Sequence, residues 1–223
     1  MKVYALPSGT GKSAIFFDMD CTLYTHEEYA KTQIDLPVAR LAQVVGKTFE
    51  QMNIEVAGYR KDWAAAHGGK SISLGNALLA FGVSIEETIK WREELYQPEK
   101  YLAEDKQLRS VLEELSSRFV LAVVTNNPVS VAVRTFSVLG VSDILQKIVG
   151  LDTIGVSKPD KAHYLTAAHL CGVPADQCIS VGDRYDIDIA LPLELGMGGI
   201  LVDGVEDVYR LPELLADSKQ RPL

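Results

Sequence analysis

Three short apolar runs, each followed directly by a polar residue, constrain the fold of this chain. The runs and the residues after them are 14–17 before Asp18, 120–124 before Thr125, and 179–182 before Asp183. Short apolar runs of this kind are typical of buried strands in a parallel sheet. In an open α/β sheet the ligand crevice lies outside the carboxyl ends of the strands. If the runs are neighbouring parallel strands, the polar residues after them meet in one crevice.

The second half of the chain alternates between helix-like and strand-like segments. Helices are predicted at about 106–116, 130–139, 160–170 and 187–195, and further strands at 147–150 and 199–202. Strands separated by helices of 10–15 residues favour right-handed crossovers and a parallel sheet. The predicted fold class is therefore α/β, with a Rossmann-like parallel sheet and helices on both of its faces.

The segment from about residue 24 to residue 100 has a helical pattern and no strand-like run. It lies between the first strand and all the others, so we interpret it as an inserted all-helical cap over the crevice. The predicted domains are a catalytic core of residues 1–23 and 101–223 and a helical cap of residues 24–100, which would set substrate specificity.

Local signals predict where helices of this segment begin and end. Two capping-box patterns mark helix starts, Thr48 with Gln51 and Ser84 with Glu87. Pro37 suits a first helical turn, and Gly82 follows an apolar run as a helix C-cap would.

The first 13 residues include a stretch, residues 8–13, that resembles a phosphate-binding loop. We reject that reading because the motif needs a glycine five positions before Gly11, where this chain has Leu6. The loop must also follow a strand and open a helix, and here it precedes the strand predicted at residues 14–17. We expect a flexible lead-in instead.

Charge and composition limit the classes of partner. The net charge is −8, which argues against binding to nucleic acid polymers. No apolar stretch reaches the roughly 18 residues of a membrane helix, and residues 1–7 do not read as a secretory signal. Three cysteines are too few for a disulfide framework. We expect a cytoplasmic monomer or homodimer that binds no membrane and whose partner is a small phosphorylated metabolite.

Asp18 and Asp20 are candidate catalytic and metal-binding residues. In extended backbone, residues two positions apart point to the same face and lie about 6.6 Å apart. Two carboxylates at that spacing repel each other, and a Mg²⁺ ion removes the repulsion because it binds hard oxygen ligands. Asp183 offers a third carboxylate. A single aspartate would more often be a helix cap or turn residue, whereas three at the ends of apolar runs favour a functional site.

Thr125, Asn126 and Lys158 are candidates for contacts with phosphate. A hydroxyl, a side-chain amide and backbone N–H groups can hold phosphoryl oxygens, although Thr125 and Asn126 also fit a helix start with Pro128 at its first position. Pro159 biases Lys158 away from helix. The Lys158 ammonium could offset phosphoryl charge, and a solvated lysine is the alternative.

Taken in order, these clusters resemble the four motifs of the haloacid dehalogenase (HAD) superfamily of phosphohydrolases. The motifs here are Asp18-x-Asp20-x-Thr22, Thr125-Asn126, Lys158-Pro159 and Gly182-Asp183. The resemblance runs from Ile15 to about Val202. The helical insertion is similar to the C1 cap of subfamily I, and residues 59–81 are most similar to the phosphoglycolate phosphatase and pyrimidine 5′-nucleotidase-like branch.

The resemblance implies a role for each catalytic residue. Asp18 would be the nucleophile that forms an aspartyl-phosphate. Asp20 would be the general acid toward the leaving group and then the general base toward water. Thr125 and Asn126 would bind the transferring phosphoryl group, and Lys158 would orient Asp18.

The resemblance also implies a Mg²⁺ site made by Asp18, the backbone carbonyl of Asp20, and Asp183. A further acid is expected after Asp183, and both Asp186 and Asp188 are available. We favour Asp188, because it precedes Ile189 as the family's second acid precedes its apolar residue, and Asp186 could instead cap a helix.

Cys21 departs from the family pattern, in which Gly or Asn is common at this position. A thiol beside the nucleophile could make activity sensitive to oxidation. A small, partly buried side chain is the alternative.

Substrate choice should come from the helical insertion, which carries a basic and aromatic group of residues. They are Tyr59, Arg60, Lys61, Trp63, His67 and Lys70. Arg60 and Lys70 are the candidates for binding a second anionic group of the substrate. The alternative is a solvated amphipathic helix with Trp63 packed inward.

The sequence therefore predicts a Mg²⁺-dependent phosphatase that hydrolyses a small phosphorylated metabolite through an aspartyl-phosphate. Asp20 favours phosphate esters over halide displacement, because an alkoxide leaving group needs a proton and the dehalogenase branch lacks the second Asp. Two alternatives stay open, a phosphotransferase or phosphomutase on the same scaffold and a non-catalytic binding protein.

Overall fold

Six strands form one sheet, in a computed structural model that describes residues 1–7 and 11–217. The strands are β1 Lys2–Ala5, β2 Ser13–Phe17, β3 Phe119–Val124, β4 Ile148–Val149, β5 Cys178–Gly182 and β6 Gly198–Leu201. Their order across the sheet is β1-β6-β5-β2-β3-β4, and every pairing is parallel except that of β1 with β6. The predicted α/β fold with a parallel sheet is confirmed.

The central strand β2 is buried on both faces. Ile15 and Phe17 pack into one apolar cluster, whereas Ala14 and Phe16 pack into another on the opposite face. A strand covered on both faces reads as a continuous apolar run rather than an alternating one. The continuous apolar run of residues 14–17 therefore has a direct structural cause.

Helices flank the sheet and fill the segment between β2 and β3. That segment contains α1 Glu27–Val45, α2 Phe49–Ala66, α3 Leu74–Leu79 and α4 Ile85–Leu95. The later helices are α5 Lys106–Ser116, α6 Val129–Leu139, α7 Leu151–Ile154, α8 Lys161–Cys171, α9 Ala190–Glu194, α10 Val205–Val208 and α11 Leu211–Asp217. A single π-helical turn, Tyr185–Ile189, precedes α9. Among the described residues, no helix is both long and apolar enough to cross a membrane.

The four helices α1–α4, which we call the helical segment, have an apolar cluster of their own. Val38 and Leu41 of α1 meet Met52 of α2, Leu78 of α3 and Trp91 of α4 in that cluster. Both predicted capping boxes are confirmed, at the starts of α2 and α4. The packing of these apolar faces joins the four helices in a cluster distinct from the two on the faces of the sheet.

Pro37 does not lie in a first helical turn, so that prediction was wrong. Helix α1 begins ten residues earlier, at Glu27, and Pro37 lies inside it. A proline within a helix leaves the carbonyl four positions before it without its usual N–H donor. That carbonyl belongs to Gln33, and the Tyr96 hydroxyl donates to it at 2.6 Å. A side chain from α4 thus replaces the missing backbone hydrogen bond.

Gly82 is not the C-cap of α3, which was also predicted wrongly. The C-cap is Ala80, and Gly82 follows it with a φ of 82°. The chain turns over residues 80–82 before α4 begins, so the left-handed position lies beyond the helix end.

The N-terminal lead-in was predicted to be flexible, and this was wrong for residues 2–5. They form β1, an edge strand in which Lys2 pairs with Leu201 and Val3 with Ile200. Such a short, charged and largely exposed edge strand has no buried apolar run to mark it. Residues 8–10 of the rejected phosphate-loop pattern lie outside the described residues. The pattern does follow a strand, β1, so that ground for rejecting it was wrong, but the chain then enters strand β2 at Ser13 and not a helix.

Candidate active site

The ends of β2, β3 and β5 converge at one edge of the sheet. Asp18 follows β2 and donates its backbone N–H to the carbonyl of Val181 in β5, at 2.8 Å. Thr125 follows β3, which pairs with β2 on its other side. Carboxylate oxygens of Asp18, Asp183 and Asp188 lie within 4.8 Å of one another. We call these three residues the acidic cluster.

Lys158 lies inside this edge and neutralises part of the acidic cluster. It is 1% exposed, and its Nζ donates to Asp18 Oδ1, Asp188 Oδ1 and the carbonyl oxygen of Val124, each at 2.8 Å. An ammonium has three donors, and all three are used here. Burial lowers the pKa of Lys158, but the carboxylates of Asp18 and Asp188 outweigh burial and hold it above its usual value. The lysine therefore stays charged.

Asp188 reaches the acidic cluster because the π-helical turn folds back over Gly182. Its backbone carbonyl accepts from the Ser180 hydroxyl at 2.7 Å, and its Oδ2 accepts from the Arg184 backbone N–H at 3.1 Å. A Cβ atom at position 182 would lie 2.4 Å from the Asp188 Cβ. Glycine is required there to admit Asp188. The other candidate, Asp186, instead accepts hydrogen bonds from the backbone and hydroxyl of Ser71.

Crowding in the acidic cluster raises two pKa values. Burial raises the pKa of Asp18 to about 7; Lys158 offsets part of this shift, while the carboxylates of Asp188 and Asp183 add to it. Burial and the Asp188 carboxylate raise the pKa of Asp183 to about 6. Asp183 Oδ1 is buried and accepts no hydrogen bond from the described residues. This all-oxygen donor set, with an unsatisfied buried oxygen, fits a hard divalent cation such as Mg²⁺.

Asp20 does not join the acidic cluster. Its Oδ1 accepts from the Tyr24 hydroxyl and from Gln33 Nε2, the latter at 2.8 Å, and its Oδ2 accepts from Asn127 Nδ2 at 2.6 Å. The carboxylates of Asp18 and Asp20 are thus held by different partners. The predicted metal contact through the Asp20 backbone carbonyl stays a prediction.

Thr125 and Asn126 keep donors available beside Lys158. The Thr125 Oγ1 accepts from the Asn127 backbone N–H at 3.1 Å, so its own proton can be donated elsewhere. The Asn126 Oδ1 accepts from the Lys158 backbone N–H at 2.6 Å. Its Nδ2 is buried and has no hydrogen-bond partner among the described residues. Such donors suit an anionic oxygen.

A cavity of about 250 Å³ opens over this edge, between the core and the helical segment. Asp20, Asp183 and Arg184 line it from the core, while Arg60 and Arg92 line it from the helical segment. Burial lowers the pKa of Arg60, and the nearby charge of Arg184 lowers it further. The carboxylates around Arg184 raise its pKa against the effect of burial.

Arg60 has no carboxylate partner among the described residues. Its Nη2 donates to the backbone carbonyl of Ile72 at 3.3 Å, and no salt bridge of the described residues includes it. A half-buried cation that faces a second guanidinium favours the binding of an anion.

Lys70, the other predicted substrate contact, lies elsewhere. It is exposed and lines a separate groove of about 560 Å³ with Tyr59, Trp63 and Asp186. Trp63 is half-buried and stacks on His67, with the ring centroids 3.9 Å apart. The structure therefore places Arg60, but not Lys70, on the cavity over the acidic cluster.

Cys21 connects Asp18 to the chain beyond Asp20 through a left-handed backbone position. Its φ is 56°, which glycine or asparagine adopts more easily than other residues. Burial raises the pKa of its thiol to about 12, and the carboxylates of Asp183 and Asp20 add to the shift. A thiolate is therefore disfavoured near neutral pH.

Sequence reasoning did not assign a function to several residues that the structure brings to the site. They are Tyr24, Gln33, Arg92, Asn127 and Arg184. For one of them, Arg92, the sequence contains a pattern that indicates a buried polar contact. Arg92 lies in the buried stripe of α4 with Thr88 and Trp91, and a charge in the apolar stripe of an amphipathic helix indicates a polar partner across the interface.

Comparison with known proteins agrees with this geometry. A family model of haloacid dehalogenase-like hydrolases matches residues 12–195. The chain is 37% identical over 118 residues to the plasmid phosphoglycolate phosphatase of Cupriavidus necator. That match covers 46% of this chain and 51% of the relative, so the chain spans about half the length of this curated relative.

Solved structures of similar fold cover nearly the whole chain. An HAD phosphatase from Thermococcus onnurineus aligns with a TM-score of 0.60 and 17% identity, over 91% of this chain and 97% of its own. A haloacid dehalogenase-like family hydrolase from Xanthomonas campestris aligns with a TM-score of 0.61 and 16% identity, over 97% and 95%. These alignments support the α/β fold, and the family model spans all four motifs. This chain belongs to the haloacid dehalogenase-like hydrolases.

Proposed function

We propose that the protein is a Mg²⁺-dependent phosphatase that hydrolyses small phosphate monoesters through an aspartyl-phosphate on Asp18. The observation that carries the proposal is the state of the Asp18 carboxylate. Its Oδ1 is held by the Lys158 ammonium at 2.8 Å, while its Oδ2 accepts no hydrogen bond from the described residues. One oxygen is thus fixed and the other is available to attack phosphorus.

The remaining core residues have complementary roles. Donors from Thr125 and Asn126 would bind the oxygens of the transferring phosphoryl group. Asp18, Asp183 and Asp188, with the Asp20 carbonyl, would hold Mg²⁺, which offsets the negative charge of the phosphate and of the acidic cluster. Lys158 keeps Asp18 oriented and stays charged throughout the reaction.

Asp20 would serve as the general acid and base. In the first step its proton goes to the ester oxygen as the bond from that oxygen to phosphorus breaks, so the product leaves as an alcohol. In the second step Asp20 takes a proton from water as the water oxygen attacks phosphorus and releases Asp18. The contacts that hold the Asp20 carboxylate beside the cavity support this role.

We further propose that residues 24–100 act as the C1-type cap and residues 1–23 with 101–223 as the catalytic core. Residues 8–10 and 218–223 of that core lie outside the described residues. The cavity of about 250 Å³ is smaller than the roughly 300–1,000 Å³ of pockets for drug-sized ligands. It favours a substrate of few atoms.

The unpaired Arg60 supports a substrate that carries a second anionic group in addition to the phosphate. The relative from Cupriavidus necator is a phosphoglycolate phosphatase, and phosphoglycolate combines a phosphate with a carboxylate. We therefore place 2-phosphoglycolate first among the candidate substrates.

A screen of phosphate esters tests the proposal. Purified protein with Mg²⁺ is incubated with 2-phosphoglycolate, sugar phosphates and nucleoside monophosphates, and inorganic phosphate is measured. We expect release of phosphate, loss of activity in EDTA and recovery on addition of Mg²⁺. Isomerised sugar phosphate without free phosphate would instead indicate a mutase, and no turnover of any ester would indicate a binding protein.

A further inference from the structure

The hydrogen bonds around Asp20 leave one position on its carboxylate for a proton. An ionised carboxylate has about four acceptor positions, two on each oxygen. On Oδ1 both are used, by the Tyr24 hydroxyl and by Gln33 Nε2. On Oδ2 one is used, by Asn127 Nδ2 at 2.6 Å. Among the contacts of the described residues, the unfilled position is therefore on Oδ2.

Arg92 fixes which side of the Asn127 amide faces Asp20. Its Nη1 donates to Asn127 Oδ1 at 3.0 Å and also to the backbone carbonyl of Asn126. Because the cation engages the amide oxygen, the NH₂ group must point the other way, toward Asp20. Guanidinium, amide and carboxylate thus form one chain of hydrogen bonds with alternating polarity.

Two of the residues that hold Asp20 in place come from the helical segment, one in direct contact with Asp20 and one acting through Asn127. Gln33 belongs to α1 and Arg92 to α4. The Tyr96 hydroxyl connects the two helices by donating to the Gln33 carbonyl, and the Arg92 guanidinium lies 5.8 Å from the Tyr96 ring centroid. Arg92 is only 6% exposed and forms no salt bridge among the described residues. Neither water nor an ion pair therefore compensates for the burial of its charge.

We propose that Arg92 and Asn127 are positioning residues for Asp20, and that with Gln33 they aim Asp20 Oδ2 at the leaving group. The inference rests on the proposed function and deepens it. The proton that reaches the ester oxygen comes from Oδ2, and the same oxygen later accepts the proton of the attacking water. Tyr24 and Gln33 hold Oδ1 and keep it out of proton transfer.

Two esters with different leaving groups test the proposal. p-Nitrophenyl phosphate releases a stable phenolate and needs little help from an acid, whereas 2-phosphoglycolate releases an alkoxide that needs the Asp20 proton. The quantity to compare is kcat/KM, because it covers the steps up to departure of the leaving group. Each variant is expressed relative to the wild type on the same ester.

We expect Asn127→Ala and Arg92→Met to lose on the order of 10- to 100-fold in kcat/KM on 2-phosphoglycolate, a part of the roughly 10²–10⁴-fold that a positioned acid supplies. On p-nitrophenyl phosphate the loss should be a few-fold. Arg92→Lys keeps a donor for the Asn127 amide oxygen and should retain more of the alkyl-ester activity than Arg92→Met.

Two further variants test whether a loss of activity comes from misfolding or from nonspecific damage to the site. Gln33→Met keeps the side-chain volume but removes the donor to Oδ1, so it should show the same selective loss even if Arg92→Met does not fold. Arg134→Ala is the matched control, because Arg134 pairs with Glu99 and contacts the Glu93 carbonyl without touching Asn127. It should leave the ratio between the two esters unchanged.

The outcomes separate the inference from the function on which it rests. If the wild type hydrolyses both esters but folded variants lose the same factor on each, the positioning role is overturned. If the wild type with Mg²⁺ hydrolyses neither ester, the proposed function itself fails and the inference falls with it. A selective loss on the alkyl ester in Asn127→Ala and Gln33→Met supports both.

Discussion

The two carboxylates of the first motif are held in opposite ways. Asp18 lies in one half of the site, which we call the nucleophile half after the role proposed for Asp18; buried charges face each other there, and Lys158, Asp188 and Asp18 itself are at most 5% exposed. Asp20 lies in the other half, which we call the acid half after the role proposed for Asp20; the direct donors to its carboxylate are uncharged and come from Tyr24, Gln33 and Asn127. Only two positions of sequence separate these environments.

The difference matches what each half is proposed to do. A nucleophile must stay in one place, and the buried Lys158 ammonium fixes one oxygen of the Asp18 carboxylate. A general acid and base must be aimed at the oxygen that exchanges the proton, and three uncharged donors hold the Asp20 carboxylate in place. The halves also have different origins, because the nucleophile half comes from the sheet edge and the acid half partly from the helical segment.

Replacing each aspartate in turn should give the largest contrast between the halves. Asp18→Asn removes the nucleophile, so turnover should fall by on the order of 10⁴-fold or more on aryl and alkyl esters alike. Asp20→Asn should lose far less in kcat/KM on p-nitrophenyl phosphate than on 2-phosphoglycolate. Steady-state kinetics with Mg²⁺ measure both, with circular dichroism as a check on the fold. Wild-type turnover by Asp18→Asn would refute its role.

Stability should also distinguish the halves. Lys158→Met leaves Asp18 and Asp188 buried without their cation, which should lower the free energy of unfolding by about 3–5 kcal/mol. Gln33→Met removes one uncharged donor and should cost about 1–2 kcal/mol. Urea denaturation of the metal-free protein measures both.

The matched control for this comparison is Lys161→Met, which removes an exposed lysine from the following helix and should change stability little. Equal decreases in the free energy of unfolding of Lys158→Met and Gln33→Met would mean that the buried ion cluster stabilises the fold no more than one uncharged hydrogen bond does.

The nucleophile half could be predicted from the sequence because its signals are local. An apolar run and the polar residue after it are adjacent in the chain, so Asp18, Thr125 and Asp183 could be placed at strand ends without knowing their partners. The helix predicted at 106–116 matches α5 for the same reason, since its apolar periodicity is complete within the segment.

The acid half could not be predicted in this way. Its residues meet because α1 and α4 pack against the sheet edge, and no short pattern records that packing.

Two features outside the acid half were also missed. The folding of Asp188 over Gly182 depends on a π-helical turn, where a regular helix was expected from the sequence. Edge strand β1 was missed because four mostly exposed residues contain no burial signal. Long-range contacts therefore explain most of what was missed.

The next contrast concerns the two basic residues predicted to bind substrate. Arg60 lines the cavity over the sheet edge, whereas Lys70 lines the separate groove. If the second anionic group binds Arg60 equally in the ground and transition states, Arg60→Ala should raise KM on 2-phosphoglycolate about 10- to 100-fold with little change in kcat. Lys70→Ala should raise it less. An unchanged KM in Arg60→Ala would remove the second-anion proposal.

Protons and Mg²⁺ should compete in the nucleophile half. The pKa of Asp18 is raised from 3.8 to about 7 and that of Asp183 to about 6. In the metal-free protein these raised pKa values add to the free energy of unfolding. The contribution is fully present below pH 3.8 and is lost as the pH rises through 7. Mg²⁺ requires the ionised forms, so its apparent affinity should be about 20-fold higher at pH 8 than at pH 6.

Thermal denaturation with and without Mg²⁺ at each pH measures this competition. The rise in Tm caused by Mg²⁺ should be larger at pH 8, and groups outside the metal site largely cancel in the difference. Asp183→Asn should reduce the rise at both pH values. An equal rise at pH 6 and pH 8 in the wild type would contradict the raised pKa values.

The smallest expected effect is at Cys21, which joins the two halves. A non-glycine residue with a φ of 56° carries a backbone cost of about 1–2 kcal/mol, and Cys21→Gly removes it at the expense of a more flexible unfolded chain. The net gain in the free energy of unfolding should be at most about 1 kcal/mol, measured in urea. Because burial holds the thiol pKa near 12, the folded wild type should also react slowly with a thiol reagent at pH 7. Rapid modification at pH 7 accompanied by loss of activity would contradict the raised pKa of the thiol.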